Sequence, residues 1–367
     1  MSKSAKDKPK RKIKWWQVPV GIVSFTLAAA IIYVCFIFIT YYRIEDNQEL
    51  DVEGTAIGNA LAADTEYTAL TYNIGFGAYT PDFTFFMDGG KQSWANSKES
   101  VEGCIEGGIK IIKDNYADLV MLQEVDTDAT RSYHVDEAKM ITSACDKMSS
   151  TAANNFHSAF LFYPFYQPHG SSNSCILTLS DAQINSAVRR QLPISDGFSK
   201  ILDYDRCYTV NRIKTGNGKE LALYNTHLSA YGTNGDLQSQ QLNMLFDDMK
   251  SEYEKGNYVI CGGDYNHDFL GNSKEVFNKN IPDGLDWAAP FPDDLIPEHF
   301  SKVTDYKDGV KTPSCRNCDV PYGDDCFTVI VDGFIVSDNV KPTYAEVLDT
   351  QFKYSDHNPV IMKFKLA

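Results

Sequence analysis

From Glu66 onward the apolar residues come in short runs of strand length, and run after run ends on a residue that can bind a cation, accept a proton or hold a phosphate. In chain order these ends are Leu70-Thr-Tyr-Asn73, Leu122-Gln-Glu124, Asn225-Thr-His227-Leu228, Gly262-Gly-Asp264-Tyr-Asn266, Val331-Asp332-Gly333 and Ser355-Asp356-His357-Asn358-Pro359. Apolar runs this short suit buried strands rather than long helices. A chain that spaces such runs along most of its length has to gather them into sheets, and polar residues at strand ends can then converge on one rim. The carboxylates and amides suit a hard cation, and two imidazoles can move protons. That combination fits phosphate-ester hydrolysis.

The runs alternate with helical patterns. Residues 67–72 read as a strand bounded by Gly75 and Gly77. Residues 97–115 read as a helix with Val101, Ile105, Ile109 and Ile112 on one face, and 118–124 as a buried strand. A second helix is expected over 135–148. Strands are expected over 175–179, 208–213 and 221–226, the last two joined by a hairpin turn at Gly216-Asn-Gly218. Residues 236–253 read as a helix with Leu242, Leu245, Phe246 and Met249 on one stripe, and 257–261, 326–336 and 359–364 as strands. The stretch 269–325 is rich in Pro and Asp and reads as loops with a short helix or two over one end of the core. Alternating elements with hairpins in the middle call for two packed sheets with outer helices.

The N-terminus differs. Residues 1–14 carry seven Lys and Arg and one acid, and residues 15–42 carry no charge. The uncharged span exceeds the ~20 residues needed to cross a bilayer core of ~30 Å, and Trp15, Trp16, Tyr41 and Tyr42 flank it as interfacial aromatics do. The reading is a basic cytoplasmic tail (1–14), a transmembrane helix (15–42), a stalk (43–65) and an extracellular catalytic domain (66–367). A cleaved signal peptide is the rival reading. Its apolar core is ordinarily about 7–15 residues long and ends at a small-residue cleavage site. The core here is longer and Ile39-Thr-Tyr-Tyr-Arg43 offers no such site, which favours a retained anchor. The 27 Lys and Arg against 48 Asp and Glu outside the tail give −21 for residues 15–367. That balance counts against a nucleic-acid partner.

Of nine cysteines, Cys315, Cys318 and Cys326 cluster, one ligand short of a zinc site; one local disulfide in an exported domain is the plainer expectation. Cys104, Cys175, Cys207 and Cys261 lie in apolar stretches and are expected as buried thiols.

Each polar end also has a bland reading. Glu124 and Asn73 suit exposed strand ends, Asp264 and Asn266 suit a turn after two glycines, and a lone His227 is often a satisfied core group. Asp356-His357 is sharper, because a carboxylate can orient an imidazole. Asp332 inside an apolar run requires a partner if buried, and His357 is the natural one. Arg189-Arg190 could touch a substrate phosphate or simply be exposed, and His267-Asp268 has no assigned role.

Taken together and in this order, the six segments resemble those of the endonuclease/exonuclease/phosphatase superfamily, which includes secreted deoxyribonucleases, apurinic endonucleases, inositol polyphosphate phosphatases and neutral sphingomyelinases. The resemblance runs from about Glu66 to the C-terminus. It implies an α/β fold, a four-layer sandwich of two mixed sheets flanked by helices, here preceded by one transmembrane helix. It also implies a divalent metal, Mg2+ or Mn2+, on Glu124, Asn73 and Asp356. Asp264 and Asn266 would position water and the scissile phosphate, His357 would be the general base oriented by Asp332, and His227 would serve as acid or transition-state stabiliser. The expected activity is that of a membrane-anchored phosphoesterase acting on a lipid headgroup or small phosphate ester. An extracellular nuclease is the alternative, and a non-catalytic binding module a third reading.

Overall fold

A computed structural model of the protein describes residues 14–195, 197, 200, 203–230, 235–278, 287–304, 306, 309 and 312–367. All of the expected basic tail except Lys14, and residues 279–286, 305, 307, 308, 310 and 311 of the expected 269–325 insertion, lie outside them. The chain divides into two compact units, Met1–Tyr42 and Arg43–Ala367. The described part of the first is mainly one helix, α1 (Gln17–Thr40), long and apolar enough to cross a membrane, a property it would share with a signal sequence.

The second unit contains β1 (Gln48–Leu50), β2 (Tyr67–Asn73), α2 (Lys98–Asp114), β3 (Leu119–Ala129), α3 (Glu137–Ala144), β4 (Ser149–Leu161), β5 (Gly170–Ser180), β6 (Ile184–Gln191), β7 (Cys207–Lys214), β8 (Glu220–His227) and α4 (Gly235–Glu254). It continues with β9 (Tyr258–Asp264), α5 (Ser273–Phe277), β10 (Phe300–Lys302), β11 (Cys315–Arg316), β12 (Thr328–Val329), β13 (Asp332–Ser337), β14 (Val340–Val347) and β15 (Val360–Leu366). One large sheet runs β1-β6-β7-β8-β9-β13-β10 and the other β14-β15-β2-β3-β5-β4, while β11 and β12 form a separate two-stranded pair. Each large sheet holds one parallel pair, β8 with β9 and β2 with β3, among antiparallel neighbours.

Strand alternation builds the layers. Leu70, Tyr72, Val120 and Leu122 point to one face, where they pack with Val101, Ile105 and Ile112 of α2 and Ile141 of α3. Ala69, Leu119 and Met121, one residue out of phase, face the other sheet and pack with its inward residues Leu221, Leu223 and Ile260. Leu242, Leu245, Phe246 and Met249 of α4 join that same core from the far side. Helix α2 starts where a cap residue stands: the Ser97 Oγ accepts from the Ser100 N–H at 3.1 Å, an interaction worth about 1 kcal/mol. The sheets are also joined by buried amides. Gln123 Nε2 donates to Asn225 Oδ1 at 2.8 Å, and Asn225 Nδ2 donates to the Leu122 and Leu177 carbonyls.

Several elements depart from expectation. The helix expected over 135–148 is confined to α3, and the strand expected over 326–336 is split into β12 and β13. Residues 43–65, expected as a stalk, fold into the second unit. β1 pairs with β6, and Ala56 and Leu61 are buried. Arg189 is neither a substrate contact nor exposed. It is buried, and its guanidinium donates to the carbonyls of Ile44, Asn154 and Asp205. Arg190 bonds Asp46 and Asp248. The two arginines thus hold residues 44–46 on the sheet, a role that a pair of adjacent charges does not announce in sequence.

The Arg212–Glu252 pair ties β7 to α4, with Nη2···Oε1 at 2.8 Å and Glu252 1% exposed. Burial alone would raise the Glu252 carboxyl, but hydrogen bonds from Arg212, Lys255 and Asn257 bring it down to about 2. A carboxyl depressed in the folded state stabilises the fold above its ordinary value of 4.5, and that contribution is lost as the pH falls towards 2. Glu252→Gln is therefore expected to remove roughly 2–3 kcal/mol at neutral pH and to flatten the acid limb of a urea-unfolding pH series. An unchanged limb would show that the pair carries no linkage.

Candidate active site

The parallel pairs place their C-terminal ends at one rim. Asn73 ends β2, whose partner β3 reaches Glu124 one residue past the Asn73–Gln123 pairing. His227 ends β8 and stands beside Asp264 at the end of β9. β13 runs antiparallel to β9 and begins at that rim, with Asp332 paired to Asp264. β15 is antiparallel to β2, so His357, three residues before its start, arrives from the same side.

Local backbone re-aims two of these side chains. Glu124 lies in an irregularity where β3 slips register against β5, between Leu122 and Val125, and its φ is +56°. A bulge of this kind kinks a strand and redirects a side chain. Asn266 also has a positive φ, +51°. Non-glycine residues in that region cost about 1–3 kcal/mol and cluster at functional sites. Gly263 is required for close approach, since a Cβ there would sit 2.1 Å from the Thr226 carbonyl oxygen.

Asp264 is the hub. Its Oδ2 accepts from Asn73 Nδ2 at 3.1 Å and lies 3.6 Å from His227 Nε2 and 3.8 Å from His357 Nε2. Its Oδ1 accepts from the Asn266 N–H at 2.9 Å. Asn73 Nδ2 also reaches Glu124 Oε1 at 3.3 Å, and His227 Nε2 stands 3.9 Å from the same oxygen. His357 Nδ1 meets Asp332 Oδ2 at 2.7 Å, and Ser314 Oγ donates to that oxygen at 2.7 Å. Seven of the eight expected site residues thus lie in one bonded or closely spaced cluster. The eighth, Asp356, adjoins His357 and contacts Ser355 and Cys318.

No protein-family model matches this sequence, and no curated protein does. Solved structures do match. An endonuclease/exonuclease/phosphatase from Beutenbergia cavernae is similar with a TM-score of 0.56 over 82% of this chain and 72% of that one, at 15% identity. One from Bacteroides vulgatus gives 0.51 over 83% and 100%, also at 15% identity. ANGEL2, a 2′,3′-cyclic phosphatase in complex with adenosine-2′,3′-vanadate, gives 0.53 over 87% and 99%, at 16% identity. This chain has the endonuclease/exonuclease/phosphatase fold. The expected fold class, two mixed sheets flanked by helices, is the one observed.

On this endonuclease/exonuclease/phosphatase scaffold the rim is crowded with acid. Burial, and then the neighbouring Asp356 charge, raise the Glu124 carboxyl. Burial and Asp332 push Asp264 up to about 7. Asp88, from the loop after Phe85, is pushed up to about 7 by burial and by Asp356 and Glu124. Burial alone would depress His357, but the Asp332 carboxylate overrides it and holds the imidazole well above its usual value. His227 goes the other way: burial, then Arg206 and His357, keep it neutral. Two buried atoms at the site lack a protein partner, Asp332 Oδ1 and His227 Nδ1.

Asp264, Asp332 and His357 each place a ligand-capable atom within 4.8 Å of the others. The short Nδ1···Oδ2 contact within that trio is a hydrogen bond, which fits a proton-handling pair better than two ligands of one ion.

Other residues take structural roles or were not foreseen. Asn266 commits its Nδ2 to the Leu228 carbonyl at 2.8 Å. His267 Nδ1 faces the Tyr265 carbonyl, and Asp268 accepts from Ser273. The end of the 269–325 stretch forms the strap under the site: Ser314 orients Asp332, the Arg316 N–H bonds the Asp356 carbonyl, and Cys315 bridges His357. All nine cysteines are free thiols, so the expected local disulfide is not formed. Cys326 Sγ points to the Asn317 carbonyl at 3.2 Å, while Cys318 Sγ is 3.7 Å from Asp356. Tyr204 also escaped the sequence: its ring lies 5.4 Å from that of His227 and stacks on Phe156 at 4.6 Å.

Proposed function

We propose that this chain is a membrane-anchored, outward-facing, Mg2+-dependent phosphoesterase that hydrolyses a phosphodiester, either a lipid headgroup or another small phosphate ester. The observation that carries the reading is Asp264, held between two imidazoles of opposite electrostatic character and joined through Asn73 to Glu124.

The donor set fits a hard divalent cation. Glu124 and Asp356 offer carboxylate oxygens, while Asn73 turns its Nδ2 towards Glu124 and its Oδ1 accepts from the Gly75 N–H at 3.0 Å; the upward displacement of Glu124 by burial and Asp356 marks a place that lacks positive charge. Glu124 and Asp356 would hold the ion, and Asn73 would join them with its amide turned over, giving up the Gly75 N–H. When bound, Mg2+ or Mn2+ supplies charge that neutralises the phosphate and its transition state. Asp332, the chief cause of the raised His357 value, would make the unprotonated imidazole the stronger base.

The chain's own groups account for the proton and the geometry. Asp332 fixes the His357 tautomer through Nδ1, which leaves Nε2 to take a proton from the attacking water. Asp264 lies 3.8 Å from that nitrogen and can orient the water for in-line attack. Its partner Asn266 shapes the same corner. His227, kept neutral, acts as a hydrogen-bond donor to a phosphate oxygen rather than as an acid. The net acidity favours a small or lipid-borne phosphodiester over a polynucleotide, which needs a basic track.

The test is full-length protein in Mg2+ with sphingomyelin-containing vesicles and plasmid DNA together, both products measured, and His357→Ala as the control. Headgroup release lost in the variant supports the proposal. DNA nicking lost in the variant would replace it with a nuclease, and product formation unaffected by the variant would refute the site.

A further inference from the structure

Beside the site's mouth stands an apolar platform that hydrolysis does not require. The loop 162–169 joins β4 to β5, reads Phe-Tyr-Pro-Phe-Tyr-Gln-Pro-His, and carries no Asp, Glu, Lys or Arg. Tyr163, Phe165 and Tyr166 are 66%, 84% and 70% exposed. Met87, in the short turn Phe86–Asp88 whose Phe86 ring meets Tyr163, is 66% exposed. A soluble surface scatters such residues singly, and a contiguous group of them marks an interaction surface.

The loop is held outward rather than left slack. Ser93 Oγ donates to the Gln167 carbonyl at 2.5 Å, Trp94 Nε1 donates to the Pro168 carbonyl at 2.7 Å, and the Tyr166 hydroxyl bonds the Lys91 carbonyl. It also adjoins the site. The Tyr163 ring lies 5.8 Å from that of Phe86. Next to Phe86, the Phe85 N–H donates to the Cys318 carbonyl at 2.8 Å, and the Cys318 thiol stands 3.7 Å from Asp356. The short segment Phe85–Asp88 therefore connects the aromatic loop to the acidic rim.

We propose that this platform, centred on Tyr163, Phe165 and Tyr166, seats in the headgroup region of a lipid bilayer and presents the site's mouth to lipid-borne phosphodiesters. The proposal rests on the membrane-anchored reading above. Three features select a bilayer over a protein partner. Tyr and Phe at loop tips suit the interface, where an apolar ring and a polar edge are both accommodated. The absence of charge in the loop removes the cost of bringing ions to the acyl boundary. The chain itself supplies the bilayer: only Tyr41 and Tyr42 separate the end of α1 from Arg43, which the second unit ties to Asp205. So short a tether gives a high effective concentration of membrane for even a weak contact.

The test places a reporter at the most exposed of the three. Full-length Phe165→Trp is reconstituted in phosphatidylcholine vesicles with and without bromine on the acyl chains, and wild-type emission is subtracted. The added indole emission should be blue-shifted and quenched by the brominated lipid. Emission that is identical in both vesicles and typical of an indole in water would overturn the proposal. A second arm uses Tyr163→Ser with Phe165→Ser. Turnover of sphingomyelin in the same vesicles is expected to fall about tenfold, with hydrolysis of soluble bis(p-nitrophenyl) phosphate unchanged. Equal loss on both substrates would overturn a docking role. Quenched emission in a protein that hydrolyses neither ester would uphold the docking surface and refute the hydrolase reading, so the two failures are distinguishable.

Discussion

His357→Ala is expected to lower kcat on a phosphodiester by about 10²–10⁴-fold, the usual contribution of a general base, with little change in KM. His357 is buried, and its Nδ1 is engaged by Asp332 at 2.7 Å, so only Nε2 faces the reacting centre. Asp332 has no access to water of its own, and one of its oxygens is shared between His357 and Ser314. Asp332→Asn should cost less than His357→Ala, because the base remains while its tautomer is no longer fixed. Ser314→Ala should cost less again. Single-turnover and steady-state rates of the three variants check the order. A His357→Ala enzyme with native kcat would place the base elsewhere, and a loss confined to KM would make His357 a binding group.

The second large effect is on stability. Asp126 and Arg131 form a buried, two-point ion pair, with Nε···Oδ2 at 3.0 Å and Nη2···Oδ1 at 2.8 Å. Ser132 Oγ and the Phe76 ring, 3.7 Å from the guanidinium carbon, complete the surroundings of the pair. Glu137 lies against it, accepting from the Asp126 N–H, but burial and the Asp126 charge raise its carboxyl well above the usual range. That displacement favours the neutral form of Glu137, which leaves Arg131 as the ionic partner of Asp126. Removing one partner of a buried pair typically costs about 3–5 kcal/mol, because the other charge is stranded. Arg131→Leu should destabilise by that amount in urea unfolding of the detergent-solubilised chain. Adding Asp126→Asn should restore a substantial part. A double variant as unstable as the sum of the singles would show that the charges are not coupled.

The polar rim was legible in the sequence because it puts polar residues where strands otherwise bury apolar ones. Asn73, Glu124, His227, Asp264 and Asp332 each break an apolar run, and the structure places each at a strand end or bulge on one rim. The fold class followed from the same alternation. Strands without that contrast were missed. β4 is mostly Ser, Ala, Asn and Thr, and its Thr151 hydroxyl bonds Asn211 at 2.6 Å across the sheets instead of filling space with hydrocarbon. β14 is an edge strand carrying Pro342 and exposed side chains on much of its length. β1 sits in an acidic stretch whose attachment depends on Arg189, and nothing local to residues 43–50 shows that a buried guanidinium more than a hundred positions later will bond their carbonyls. The cysteines misled for a related reason: close spacing suggests a disulfide, whereas the thiols of Cys318 and Cys326 find a carboxylate and a carbonyl respectively. Charge repulsion between Asp88 and the rim was likewise invisible, because Asp88 and Glu124 stand 36 positions apart in the chain.

The central claim is that this rim hydrolyses a phosphodiester with a divalent cation held by Glu124 and a proton taken by His357. The most direct measurement is hydrolysis of bis(p-nitrophenyl) phosphate by the full-length protein, first stripped with a chelator and then given Mg2+ or Mn2+, beside Glu124→Gln and His357→Ala. The expected result is turnover that appears only with the metal, requires more metal in Glu124→Gln and is lost in His357→Ala. Turnover that is indifferent to the metal, or equal in all three proteins, would contradict the account.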